Sequence, residues 1–243
     1  MISEPKPPET LQPPEKIREM FNEIAPTYDL LNHLMSFGMD IRWRKKCVKL
    51  LREKQGGTFL DIAAGSGDFS LELLALQPKL ILATDFAEEM LAVFQQKLDR
   101  KQTKLPIQLT VCDALALPFD DGMFDGTVVA FGIRNFADRL VSLQEMIRVL
   151  KPGGMSIILE LSRPEGSAMS RVFSVYAGKI LPAIGRMISH HNSAYRYLPQ
   201  SIADFPRKEE FLQLMRLARF GELQAIPLSF GVATIFVGRK ASR

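Results

Sequence analysis

Two cysteines in 243 residues, Cys47 and Cys112, are too few and too far apart for a disulfide framework or a CxxC site. Such usage suits a reducing compartment. Three histidines, two of them adjacent, supply no metal-ligand spacing, so no metal centre is expected. No apolar run is long enough to span a bilayer, and the Pro-rich, polar N-terminus does not have the make-up of a signal peptide. These absences point to a cytoplasmic protein. Nor is there a large excess of one charge. Lys plus Arg number 31 against 27 Asp plus Glu, a net +4 with no long basic tract. Nucleic acid is therefore not an expected partner, whereas transient contact with an anionic membrane surface is compatible. What remains is 47% apolar and 24% charged, enough for one large globular domain with a helical extension.

The chain is organised around 58–70, TFLDIAAGSGDFS. It reads as a short buried strand over 59–62, a small-residue turn, and a helix. Gly65 and Gly67 flank Ser66, where a missing Cβ permits a sharp turn and the close approach of a ligand. About twenty residues on, the strand LILATDF ends in Asp85, placed to meet a ribose diol held over the first loop. A dinucleotide fingerprint would need a third glycine where Ser70 stands. Asp61, at the strand end, would repel a pyrophosphate but suits a ligand carrying a sulfonium and an ammonium. The pattern points to S-adenosylmethionine.

Residues 1–13 hold four prolines and no apolar periodicity, and read as a tail. A helical arm follows over 14–56. Ile17, Met20, Phe21 and Ile24 form one apolar face; Tyr28, Asp29, Asn32 and His33 then crowd polar groups between leucines. This stretch is either a packing arm or a lid carrying polar groups to the nucleoside site. A basic helix is expected over 41–54, with Trp43, Cys47, Leu50 and Leu51 inward and its cations, Arg44 among them, on a solvated face.

From 57 to 239, apolar strands alternate with helices. Strands are expected over 59–62, 80–84, 107–112, 126–131 and 156–161, and helices over 70–76, 88–101 and 140–150. That is a mostly parallel α/β sheet covered on both faces, with Asp61, Asp85 and Asp113 at strand carboxyl ends. A substrate-side insertion is expected over 163–207, its long apolar stretch at 167–188. A helix over 208–219 and an antiparallel hairpin, 222–228 with 232–238, would close the sheet edge.

Four passages carry a family resemblance: EMFNEIAPTYDLLNHLMSFGMDIRWR; LDIAAGSGDF with ATDFAEEML; LPFDDGMFDGTVVAFGIRNFAD; and MIRVLKPGG with ILELSRP. With AYRYLPQSIADFP, they closely resemble the quinone-biosynthesis C-methyltransferases over about 15–239. The resemblance implies a class I methyltransferase, Rossmann-like fold with a seven-stranded sheet. It implies methyl transfer from S-adenosylmethionine to a ring carbon of a lipid-soluble polyprenyl quinol, demethylmenaquinol or a benzoquinol. It also implies a protein that is cytoplasmic and peripheral on the membrane; a homodimer is compatible with the sequence. Two departures stand out: Arg219-Phe220 where the family usually has Gly-Phe, and Phe236 where its last strand commonly carries a histidine. A histidine lost near the substrate would leave the acid–base chemistry there to other groups.

Carried over residue by residue, the cofactor site comprises Asp61, Ala63, Gly65, Gly67, Asp85, Phe86, Asp113 and Ala114. Met90 is either an adenine neighbour or core, and Asp113 either an adenine contact or the cap of a short turn. The implied catalytic group is Arg134 with Asn135 and Tyr28, supported by Asp29 and Asn32. Arg134 cannot act as an ordinary base, but it can stabilise a phenolate or polarise a water. Tyr195 and Tyr197 are expected beside the substrate wall.

Overall fold

The computed structural model describes residues 13–101, 104–164 and 192–242. The N-terminal tail up to residue 12, the apolar stretch at 167–188 and the side chain of Tyr195 lie outside them.

Seven strands form one sheet: β1 (Thr58–Ile62), β2 (Leu80–Asp85), β3 (Ile107–Val111), β4 (Phe124–Ala130), β5 (Leu150–Leu161), β6 (Gly221–Leu228) and β7 (Ala233–Arg239). Their order is β3-β2-β1-β4-β5-β7-β6. The first five are parallel; β7 runs antiparallel to both β5 and β6, and β6 and β3 form the two edges. Successive strand residues serve opposite faces. Phe59 packs with Trp43 and Cys47 on one face, and Leu60 packs with Leu143, Met146 and Phe211 on the other. The strand order turns back between β1 and β4, and beyond the carboxyl ends of strands at such a switch point lies the usual ligand crevice.

Three helices precede the sheet: α1 (Pro14–Ile24), α2 (Tyr28–Met35) and α3 (Met39–Leu50). α1 begins with proline, tolerated because a first-turn N–H needs no helical acceptor. α4 (Asp68–Leu73), α5 (Glu88–Asp99) and α6 (Arg139–Val149) alternate with the strands. α7 (Asn192–Ala203) and α8 (Lys208–Leu217) precede the final hairpin.

Two expectations need correction. Arg44 does not lie on a solvated face: it is buried beside Asp40, to which its Nη1 donates at 2.5 Å. The expected strand over 156–161 starts at Leu150 instead, because a register shift against β4 absorbs the Pro-Gly-Gly stretch. Phe236 sits in an aromatic core, 4.6 Å from Phe211 and 6.3 Å from Phe205 between ring centres, and lines none of the three cavities described below. Arg219 stands just past the end of α8 with φ +72°, the left-handed position that helix ends usually give to glycine.

Candidate functional site

The loop after β1 is wound tightly. Ala63, Gly65 and Gly67 have φ of +53°, +56° and +88°, a run that L side chains resist. Asp85 holds it from the next strand: Gly65 N–H donates to Oδ2 at 2.8 Å, and Ala87 N–H to Oδ1 at 2.9 Å. Burial outweighs these bonds and pushes the Asp85 carboxyl up to about 6. A Cβ on Gly65 would come 3.0 Å from the Met90 Cε. One on Gly67 would lie 2.2 Å from the Phe94 ring, so packing fixes that glycine, and Gly67 lines neither main cavity.

Asp61 is buried, with Ser70 Oγ donating to its Oδ2 at 2.7 Å. Oδ1 has no hydrogen-bond partner among the described residues. Burial pushes this carboxyl up to about 7, against the Ser70 bond and the Arg44 charge. The residue that breaks the dinucleotide pattern, Ser70, is thus the one that orients the acid.

A cavity of about 750 Å³ opens over the loop. Ala63, Gly65, Asp85, Phe86, Asp113 and Ala114 all line it, together with Met90. Asp113 is exposed, and its Oδ1 accepts the Leu115 N–H at 2.9 Å, so it caps its own turn at the mouth of the cavity. Ala130, Phe131 and Gly132 complete the wall from the end of β4. Sequence reasoning missed them; in the structure Gly132 must be small, since a Cβ there would meet the Ala63 Cβ at 2.7 Å.

A second cavity of about 470 Å³ lies behind Tyr28, which lines both. Met20, Phe21, Ile24, Leu31 and Met35 make it apolar, while Asn32, Arg134 and Tyr197 supply its polar groups. Arg134 is buried and rigidly held. Its Nη1 donates to Glu160 Oε1 at 2.8 Å and to the Phe131 carbonyl, and its backbone N–H to Glu160 Oε2 at 3.1 Å. Ser201 accepts from Nε at 3.3 Å, and Arg139 donates to the Arg134 carbonyl at 2.8 Å. Glu160 is fully buried, and its charge keeps the Arg134 guanidinium protonated more firmly than usual. The Tyr197 hydroxyl donates to Asn135 Oδ1 at 2.9 Å, while Asn135 itself lines the first cavity. The Tyr28 phenol is raised by burial, against opposing pulls from Asn32, Arg134 and Arg44.

Asp29 does not face either main cavity. It accepts from Ser66 Oγ and pairs with Lys97 at 2.6 Å, tying α2 to the glycine loop and to α5. His33 continues the tie, with Nδ1 2.8 Å from Asp40 and Nε2 3.5 Å from Asp68. The arm therefore spans the loop and supplies wall to both cavities.

The ubiE/COQ5 methyltransferase family model matches residues 10–240. The chain belongs to that family. It is 44% identical over 228 residues to the ubiquinone/menaquinone biosynthesis C-methyltransferase of Geobacter sulfurreducens, covering 93% of this chain and 89% of that one. It is 46% identical over 220 residues to the demethylmenaquinone methyltransferase of Thermus thermophilus, covering 90% and 99%. Among solved structures, an S-adenosylmethionine-dependent methyltransferase from Aquifex aeolicus superposes with a TM-score of 0.60 at 16% identity, over 94% of this chain and 98% of that one. The [4+2]-cyclase SpnF superposes at 0.62 with 14% identity, over 96% and 99%. The likeness to a cyclase shows that the fold alone does not choose the reaction.

For a ubiE/COQ5 family member the donor set fits an adenosyl sulfonium. Asp61 Oδ1 is a buried acceptor with no partner among the described residues, suited to an ammonium. The Asp85 oxygens accept the Gly65 and Ala87 N–H groups, and with two lone pairs on each oxygen the carboxylate keeps capacity for a ribose hydroxyl. Phe86 and Met90 offer apolar surface to a base.

Proposed function

We propose that this protein transfers a methyl group from S-adenosylmethionine to a ring carbon of a lipid-soluble polyprenyl quinol, with demethylmenaquinol as the acceptor. The observation that carries this reading is the pair of cavities sharing Tyr28 as a wall. One is lined by the glycine loop and Asp85; the other is apolar, with a fixed guanidinium at its side. When bound, the sulfonium supplies an electrophilic methyl group. The chain must then favour the ionised acceptor, because a free phenol loses its proton only near pH ~10. Arg134 does so by a fixed cation and planar donors, held by Glu160 and the Phe131 carbonyl and thus needing little reorganisation. Tyr28 and Asn135 provide polar groups through which a water can accept the proton. The apolar wall holds a tail that offers nothing but apolar surface. Alignment of donor and acceptor across Tyr28 supplies much of the acceleration.

The polyprenyl substrate brings the protein to a membrane face. Leu30 is 61% exposed, Leu34 43% and Ile41 36%, and Arg42, Lys45, Lys46 and Lys49 are exposed on α3 beside them. Among the described residues no helix is long and apolar enough to cross a bilayer; the contact proposed is a peripheral one through these side chains.

Methyl transfer assays with demethylmenaquinol, a polyprenyl benzoquinol and a soluble catechol test the reading. Turnover of demethylmenaquinol above the other two is expected. Preference for the benzoquinol would move the acceptor to ubiquinone-type rings, and preference for the catechol would overturn the lipid-substrate reading.

A further inference from the structure

Between α3 and the glycine loop lies a third, smaller cavity of about 310 Å³, lined by Arg44, Asp61, Asp68, Tyr28, Gly65 and Ser66. It is continuous in its lining with the main cofactor cavity through Tyr28, Ala63 and Gly65. Two of its side chains are buried and opposite in charge, yet no ion pair joins them: Arg44 pairs with Asp40 at 2.5 Å and lies 3.8 Å from Asp68. Each keeps one buried polar atom without a partner among the described residues, Nε of Arg44 and Oδ1 of Asp61. Buried polar groups are ordinarily satisfied, and two orphans of opposite character in one cavity point to a ligand that is itself a zwitterion. The guanidinium is also held in place, over the Phe131 ring at 5.4 Å and by Asp40.

We infer that Arg44 binds the α-carboxylate of the cofactor's amino-acid end while Asp61 binds its ammonium. The inference rests on the S-adenosylmethionine reading and adds to it a residue from the helical arm. Arg44 matches a carboxylate with planar, charged donors. Because Asp40 of α3 already holds both Arg44 and His33 of α2, filling this end of the site ties the arm to the loop at one further point.

Decarboxylated S-adenosylmethionine, which keeps the sulfonium and the ammonium but lacks the carboxylate, tests this by calorimetric titration beside the intact cofactor. Wild-type protein is expected to bind the intact cofactor about 10-fold or more tightly, the scale of a lost charge-assisted hydrogen bond. Arg44→Met should bring the two affinities within about threefold of each other by weakening only the intact cofactor, and Arg44→Lys should fall between. Thermal melting shows which variants are folded; if Arg44→Met is not, the wild-type and Arg44→Lys ratios decide. Equal affinities in the wild type, or an undiminished ratio in either folded variant, would overturn the assignment. Failure of the wild type to bind either compound would instead remove the cofactor reading, and this inference with it.

Discussion

At the cofactor end, Asp61 keeps a buried carboxylate oxygen with no partner among the described residues, and burial has lifted both it and Asp85 well above the ordinary carboxylate range. At the acceptor end, Glu160 is equally buried but accepts three donors, from Arg134 Nη1, Arg134 N–H and Leu161 N–H. The first acid is destabilised in place and gains by meeting a cationic ligand. The second is spent on holding a cation still. Ligand affinity should therefore respond to changes at Asp61, whereas folding should respond to changes at Glu160. A binding site that keeps its charges uncompensated gives up stability for affinity; one that compensates them gains geometry instead.

The largest effect expected is on stability at Glu160. Glu160→Gln leaves the Arg134 guanidinium buried without its counter-charge, and chemical denaturation should show a loss of about 3–5 kcal/mol. A loss under about 1 kcal/mol would mean that the pair is not the rigid element described. Next comes catalysis at Arg134. Arg134→Lys keeps the charge but not the planar donors, so single-turnover methyl transfer should slow by about tenfold, and Arg134→Gln by more. The Gln deficit should shrink as pH rises toward that of the free phenol, about 10. Parallel pH profiles would limit Arg134 to positioning the substrate.

Asp61 should behave in the opposite way to Glu160. Its folded pKa, about 7, lies above the unfolded 3.8. The protonated acid's contribution to stability is therefore full below the unfolded value and is lost as pH rises through about 7. Asp61→Asn should thus gain stability relative to ligand-free wild type as pH rises from 5 to 8, by paired thermal melts, while binding the cofactor about tenfold more weakly. A variant less stable than wild type at pH 8 would show that Asp61 is structural. The smallest effect concerns Arg219. Its left-handed backbone costs an L residue about 1 kcal/mol, so Arg219→Gly should raise stability by roughly that amount, with methyl transfer unchanged.

Most of the fold was legible because apolar strands and helices alternate at regular spacing, and the cofactor acids were legible because they end strands. The hairpin that closes the sheet was legible too, by its paired apolar runs around Ser229–Gly231. Arg44 was not, since in a helix carrying several cations a periodic pattern cannot show which one turns inward; only Asp40, one turn earlier, marks it. The role of Ser70 was hidden for a similar reason: its partner Asp61 is nine residues away and meets it only once the loop is wound. Phe236 was read through the resemblance alone, and a family's residue at a strand position does not say what this chain packs opposite it, here Phe205 and Phe211. Gly67 read as a ligand contact, and the sequence could not show that its φ of +88° and the Phe94 ring against it also require glycine.

The difference between the two ends is tested most directly by counting protons exchanged when S-adenosylmethionine binds. Calorimetric titrations near pH 6, in buffers of different ionisation enthalpy, give that number for wild type and for Asp61→Asn. With Asp61 titrating near 7 in the ligand-free protein and ionised beside the ammonium, wild type should release a proton fraction that the variant does not. Wild-type affinity should accordingly rise as pH increases toward 7. Equal proton counts in the two proteins, or an affinity indifferent to pH over that range, would contradict the claim that Asp61 holds its charge for the cofactor.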